Sequence, residues 1–122
     1  MNSDVMVFVP MLKKDQRKRG FNQSYLLAKE LSNIISVPVL EDALVKVKKT
    51  KKQVGLKRKD RKVNLKDAFK LTSSKDIKDK SVLIIDDVMT TGSTVERIAE
   101  LLKKKGAKIV KVLTVASVQI TE

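Results

Sequence analysis

A chain of 122 residues, 42% hydrophobic and 34% charged, is sized for one domain around one core. It has no cysteine and no histidine, which excludes disulfides, thiolate metal sites, Ser-His-Asp catalysis and an imidazole base. A formal net charge of +13 calls for an anionic partner: a phosphorylated small molecule, nucleic acid or a membrane surface. No apolar run reaches the roughly 20 residues that span a bilayer, and no signal-peptide pattern opens the chain. The expectation is a cytoplasmic protein with aliphatic packing, since aromatics make up only 3%.

In chain order, "VMVFVP" predicts a short buried strand stopped by Pro10. "MLKKDQRKRGFNQ" reads as a loop bending at Gly20. Leu27, Leu31, Ile34 and Ile35 recur at helical spacing, which predicts a helix over residues 24–35. "VLEDALVKVK" alternates loosely and predicts one strand or two short ones. Residues 50–69 are too polar for a core, with a helical turn expected near 56–62. "AFKLT" is another candidate strand, and residues 73–80 form a polar connector.

The strongest unit follows. "SVLIIDDV" is an apolar run ending in two acids, as expected of a strand buried on both faces. A helix is predicted over residues 93–105, with Val95, Ile98, Ala99 and Leu102 as its apolar stripe. Ser93 and Glu96 have capping-box spacing, and Gly106 suits the position after the helix end. "IVKVLTVASV" predicts a second buried strand, completing a parallel βαβ unit. The fold class is α/β, without repeats and without a second domain.

Charge and chemistry concentrate at three places. Residues 13–19 hold five basic residues against Asp15, and residues 46–62 hold ten against Asp60. Each run has the bland reading of a solvated face, but two such runs can converge on one anion. The third place is "VLIIDDVMTTGST". In an open α/β sheet, ligands sit beyond the carboxyl ends of the strands. There Thr90, Thr91, Gly92, Ser93 and Thr94 lead into a helix N-terminus, which favours phosphate. Asp86 and Asp87 have the wrong sign for phosphate. They suit sugar hydroxyls or the water shell of Mg²⁺. A ligand with a phosphate beside a diol, such as ribose 5-phosphate, satisfies both halves. No GK[ST] is present, so this is not a P-loop.

"VLIIDDVMTTGST" resembles the phosphoribosyl-pyrophosphate (PRPP) motif of type I phosphoribosyltransferases. With "VPMLKKDQRKRGFNQSYLLAKELS" and "TKKQVGLKRKDRKVNLKDAF" in the same order, the chain resembles ComF-type competence proteins over residues 5–118. The resemblance implies a mostly parallel sheet flanked by helices, with a small flexible basic hood or loop over residues 46–66. It implies that Asp86 and Asp87 hold the ribose hydroxyls, catalytically and as Mg²⁺ ligands through water. Val88, Met89 and residues 90–94 would hold the 5′-phosphate. Met11, Leu12, Lys13 and Lys14 would bind pyrophosphate, largely through backbone amides, with Arg19 in support. Arg61 would be a catalytic cation of the hood. It further implies transfer of phosphoribosyl to a nitrogenous base or amine, and a homodimer. Two features depart from the pattern: Met11 and Leu12 stand where relatives often read Leu-His, and the cysteine-rich zinc-binding segment of such proteins has no counterpart here. Two other classes compete. One is a non-catalytic PRPP- or nucleic-acid-binding accessory protein for DNA uptake. The other is a phosphoacceptor domain using Asp86 or Asp87, which leaves the Thr-rich loop unexplained.

Overall fold

The computed structural model describes residues 3–50, 57–89 and 92–117. Nine elements follow in order: β1 (Val5–Phe8), α1 (Lys13–Arg19), α2 (Gln23–Ile35), β2 (Leu44–Lys46), α3 (Arg58–Leu65), β3 (Phe69–Leu71), β4 (Ser81–Met89), α4 (Ser93–Lys104) and β5 (Ile109–Ser117). The main sheet has the order β1-β4-β5 and is parallel throughout. A parallel bridge between Met6 and Val39 extends it past β1. β2 and β3 form a separate antiparallel ribbon.

The middle position of β4 follows from its composition. Val82, Leu83, Ile84 and Ile85 are all fully buried, which requires cover on both faces. Side chains alternate between faces along a strand. Val82 and Ile84 pack with Ile98 and Leu102 of α4, while Leu83 and Ile85 pack with Ala28 of α2. The sheet is therefore the middle of three layers. Each of these aliphatic side chains contributes roughly 1.5–3 kcal/mol by burial, enough to hold the end of β4 firmly.

α4 ends as expected. Gly106 takes φ 107°, a left-handed conformation that costs glycine little. Its N–H donates to Lys103 O, and the Ala107 N–H donates to Leu102 O, satisfying two terminal carbonyls in a Schellman arrangement.

Three expectations need correction. Residues 13–19, read as loop, form α1. Lys, Arg and Gln are good helix formers, Asp15 sits in the first turn and basic residues fill the last. None of its residues is buried, so the helix has no apolar stripe by which periodicity could reveal it. α4 has Gly92 rather than Ser93 as its N-cap, with the Glu96 N–H donating to Gly92 O; glycine has no side-chain oxygen and N3 becomes Val95, so the helix start is not the predicted Ser93–Glu96 capping box. β5 is apolar but not buried. It pairs with β4 alone among the described residues, and Ile109, Val112 and Val115 are 43%, 42% and 69% exposed. The other predicted elements occur close to their expected places, the turn near 56–62 as α3 and the "VLEDALVKVK" strands as the Val39 bridge and β2.

Candidate functional site

β4 does not stop at the acids. It pairs with β5 through Asp86↔Thr114, Val88↔Ala116 and Met89↔Ser117. Alternation then sends the two carboxylates to opposite faces, Asp86 with Val82 and Ile84 toward α4, and Asp87 with Leu83 and Ile85 toward α2. Asp86 is buried, at 8% exposure. Its carboxyl is pushed up to about 6, first by burial and then by the charge of Asp87, while backbone N–H groups of Val88 and Asp87 pull the other way. A cation or a cluster of hydroxyl donors beside it would relieve both causes.

Asp87 is held from α2. Ser24 Oγ donates to Asp87 Oδ1 at 3.1 Å, and the Asp87 N–H donates to Ser24 Oγ at 3.3 Å. Ser24 sits one position inside the helix that Asn22 caps. Asn22 Oδ1 accepts from the N–H groups of Ser24 and Tyr25, at 2.9 and 3.3 Å. Asn22 Nδ2 reaches the other way, donating to Val9 O at 3.2 Å where the chain leaves β1. The end of β1 lies beside the acids because the Val9 N–H donates to Ile85 O at 3.0 Å.

Beyond β4, Thr90 and Thr91 lie outside the described residues. Gly92 has φ 80°, and an added Cβ would meet only Met89 Sδ at 3.8 Å. The backbone conformation, rather than lack of space, calls for glycine here. Ser93 and Thr94 form the first turn of α4 and are partly exposed, while Val88 is 46% exposed. The strand end, the glycine turn and the helix N-terminus therefore stand together as the motif predicts.

On the other side of Asn22 lies an open groove of about 1150 Å³, walled by α1, the end of β1 and β2. Met11, Leu12, Lys13 and Lys14 line it, joined by Arg17 and Lys46. Arg19 does not line it. It stacks over Phe21, 5.8 Å from the ring centre, at the far end of α1. Arg61 belongs to α3, and its side chain lies outside the described residues.

The sequence reading missed several groove residues. Lys46, on β2, has its ammonium pKa lowered by burial, partly offset by the charge of Asp15. The Glu41 carboxylate, together with burial, raises the Tyr25 phenol above its usual value. Its ring packs on Phe8 at 5.2 Å. The Lys46 signal was available, since it opens the basic run; Ser24 carried no local signal, because its partner is 63 residues away. Among the described residues no group of three or more acids gathers to cage a metal, and no helix is long and apolar enough to cross a membrane.

This arrangement can bind a molecule with two anionic ends and hydroxyls between them. Lys13, Lys14, Arg17 and Lys46 outnumber Glu41 and Asp42 along the groove, two scaffolded carboxylates stand next to it, and a helix N-terminus follows. Residues 22–122 match the phosphoribosyl transferase domain family. Competence protein F of Haemophilus influenzae is 41% identical over 89% of this chain and 48% of its own length. DNA utilization protein YhgH of Escherichia coli is 40% identical over 89% of this chain and 47% of its own. The chain thus spans about half the length of these curated relatives. Among solved structures, a purine phosphoribosyltransferase from Pyrococcus horikoshii aligns at TM-score 0.53 and 26% identity, over 94% of this chain and 61% of that one. A hypoxanthine phosphoribosyltransferase from Staphylococcus aureus aligns at TM-score 0.55 over 93% of this chain and 52% of that one, but its 22% identity speaks to the fold alone.

Proposed function

Since the chain belongs to the phosphoribosyl transferase domain family, we propose that it binds PRPP and transfers the phosphoribosyl group to a nitrogenous base or amine, releasing pyrophosphate. The observation that carries this reading is the end of β4. An adjacent acid pair there, one member buried, stands on the same strand-to-helix connection as the left-handed Gly92 and the N-terminus of α4. The helix start would take the 5′-phosphate, the acids the ribose hydroxyls, and Lys13, Lys14, Arg17 and Lys46 the pyrophosphate.

In the proposed reaction the bond from ribose C1 to the pyrophosphate oxygen breaks with its electron pair on the leaving oxygen. A C1–N bond forms, and the acceptor nitrogen gives up a proton. The transition state is expected to be oxocarbenium-like. It needs a fixed sugar, a stabilised leaving group and exclusion of water more than it needs a nucleophilic side chain. A chain without histidine can therefore perform it. Asp86 and Asp87 would stabilise positive charge developing on the ribose. Their hard oxygens also fit Mg²⁺, and a pair rather than a full cage suits an ion that keeps waters and substrate oxygens. When bound, Mg²⁺ would supply charge neutralisation for the pyrophosphate. Arg61, within the basic stretch 46–66, would add a cation over the leaving group, so Arg61→Ala is expected to lower turnover well before it lowers the melting temperature.

Calorimetric titration of PRPP, with and without Mg²⁺ at moderate salt, tests the proposal. Saturable binding that depends on Mg²⁺ supports it. Absence of binding to folded protein rejects it. A second reading, a non-catalytic accessory role with nucleic acid, is favoured by the ten cations between residues 46 and 62 and by the names of the relatives. Phe8 and Tyr25 pack on each other rather than forming a row of free stacking platforms. Steep salt dependence of single-stranded DNA binding, unaffected by pyrophosphate, would favour this second reading.

A further inference from the structure

The N-terminus of α2 joins the two halves of the site. We propose that Ser24 is a positioning residue that orients Asp87 toward the sugar, and that Asn22 performs the matching task for the loop after β1. The inference rests on the PRPP reading above.

The case begins with burial. Among the described residues, the buried polar side chains are Asn22, Ser24, Ser81 and Asp86. Two of these four, Asn22 and Ser24, sit at one joint, where Ser24 meets the partly buried Asp87. Burying a polar group costs free energy unless it is hydrogen-bonded, and the Asn22 and Ser24 side chains both are, as donor and as acceptor. A serine hydroxyl offers one donor and two acceptor positions. Ser24 Oγ spends its donor on Asp87 Oδ1 and accepts the Asp87 N–H, which fixes both the side chain and the backbone of that residue. With Oδ1 held from α2, the carboxylate has one orientation from which Oδ2 can meet a ligand. Ser24 is not needed to start the helix, because Asn22 already caps it.

Asn22 is equally committed. Its carbonyl oxygen takes two helix N–H groups, and its amide donates to Val9 O, immediately before Pro10 and the groove-lining Met11 and Leu12. A shift of α2 would therefore displace both the proposed pyrophosphate loop and the sugar-binding acid. Catalytic geometry tolerates errors of only about an ångström. Two residues on one helix turn, tied to strands β1 and β4, hold that distance at the expense of no exposed surface.

The two residues are expected to separate in their effects. Ser24→Ala should weaken PRPP binding by roughly tenfold and leave binding of metal-free pyrophosphate unchanged, because the acid side of the site is disturbed and the cationic groove is not. Ser24→Thr keeps the hydroxyl and should restore most of the affinity. Asn22→Asp keeps the cap oxygen but replaces the donor to Val9 O with an acceptor, so pyrophosphate binding itself should fall.

The decisive measurement is a double-mutant cycle on PRPP affinity by calorimetry, run well below every variant's melting temperature. If Ser24 acts through Asp87, Ser24→Ala combined with Asp87→Asn binds PRPP no worse than Asp87→Asn alone. Independent, additive losses overturn the positioning role. So does wild-type PRPP affinity in Ser24→Ala when Asp87→Asn has lost it; that outcome leaves the PRPP reading standing. Wild-type protein that binds pyrophosphate but not PRPP overturns both.

Discussion

The acids and the cations of the site are built by opposite means. Asp86 and Asp87 extend a strand whose preceding four residues are fully buried, and Ser24 of a neighbouring helix grips one of them. Lys13 and Lys14 stand on a seven-residue helix with no buried residue at all. The contrast follows from desolvation. A carboxylate at a dry strand end needs a scaffold, because its charge is costly there and its direction matters for hydrogen bonds. Lysines reach through solvent, and their attraction to phosphates falls off gradually with distance. In the proposed site the acids would therefore act by geometry and the cations by field, and the two halves should respond differently to mutation and to salt.

The largest effect is expected from the geometric half. Asp87→Asn should weaken PRPP binding about 100-fold, near the value of one or two charge-assisted hydrogen bonds, while the melting temperature shifts little. Affinity within threefold of wild type, measured by calorimetry, would remove Asp87 from the site. The cationic half should yield more softly. Replacing both Lys13 and Lys14 by Gln should weaken pyrophosphate binding about tenfold at low ionic strength, and by much less at several hundred millimolar salt. A loss that is the same at every salt concentration would show that these lysines make fixed, short contacts instead.

The same contrast explains what could be read from the sequence. β4, α4 and the acid motif were legible because the aliphatic runs and the 3.6-residue stripe are local signals: Val82–Ile85 and Val95–Ile98–Leu102 announce their burial directly. α1 was not legible, since a helix whose seven residues are all polar leaves no stripe. The edge position of β5 was hidden for another reason. Apolarity tells that a strand can be covered, and it cannot tell that Val115 stays 69% exposed. The joint at Asn22 and Ser24 was least legible of all. Its content is a pair of hydrogen bonds between residues 63 apart, and no periodicity reports such a contact.

The smallest effect concerns stability, and its sign separates geometry from charge within the acid pair. In the folded protein Asp86 holds its proton up to about 6, above the ordinary 3.8, because burial and Asp87 oppose its charge. Folded protein therefore binds more protons than unfolded protein between those values, so the stabilising contribution of the protonated carboxyl is complete below about 4 and is lost as pH rises through 6. Asp86→Asn removes that loss. At pH 8 the variant is expected to be more stable than wild type by about 1–2 kcal/mol, discounted for the water that still reaches the carboxyl, or roughly 3–8 °C in melting temperature. At pH 4 the two should melt together. The gain should come with weaker PRPP binding, the trade expected when a strained charge is kept for function. Added Mg²⁺ should sharpen the test by raising the wild-type melting temperature at pH 8 more than that of Asp86→Asn, because an ion beside the pair offsets the repulsion that the variant no longer has. Parallel melting curves across this pH range would mean that the Asp86 carboxyl is well solvated and that its charge costs the fold little.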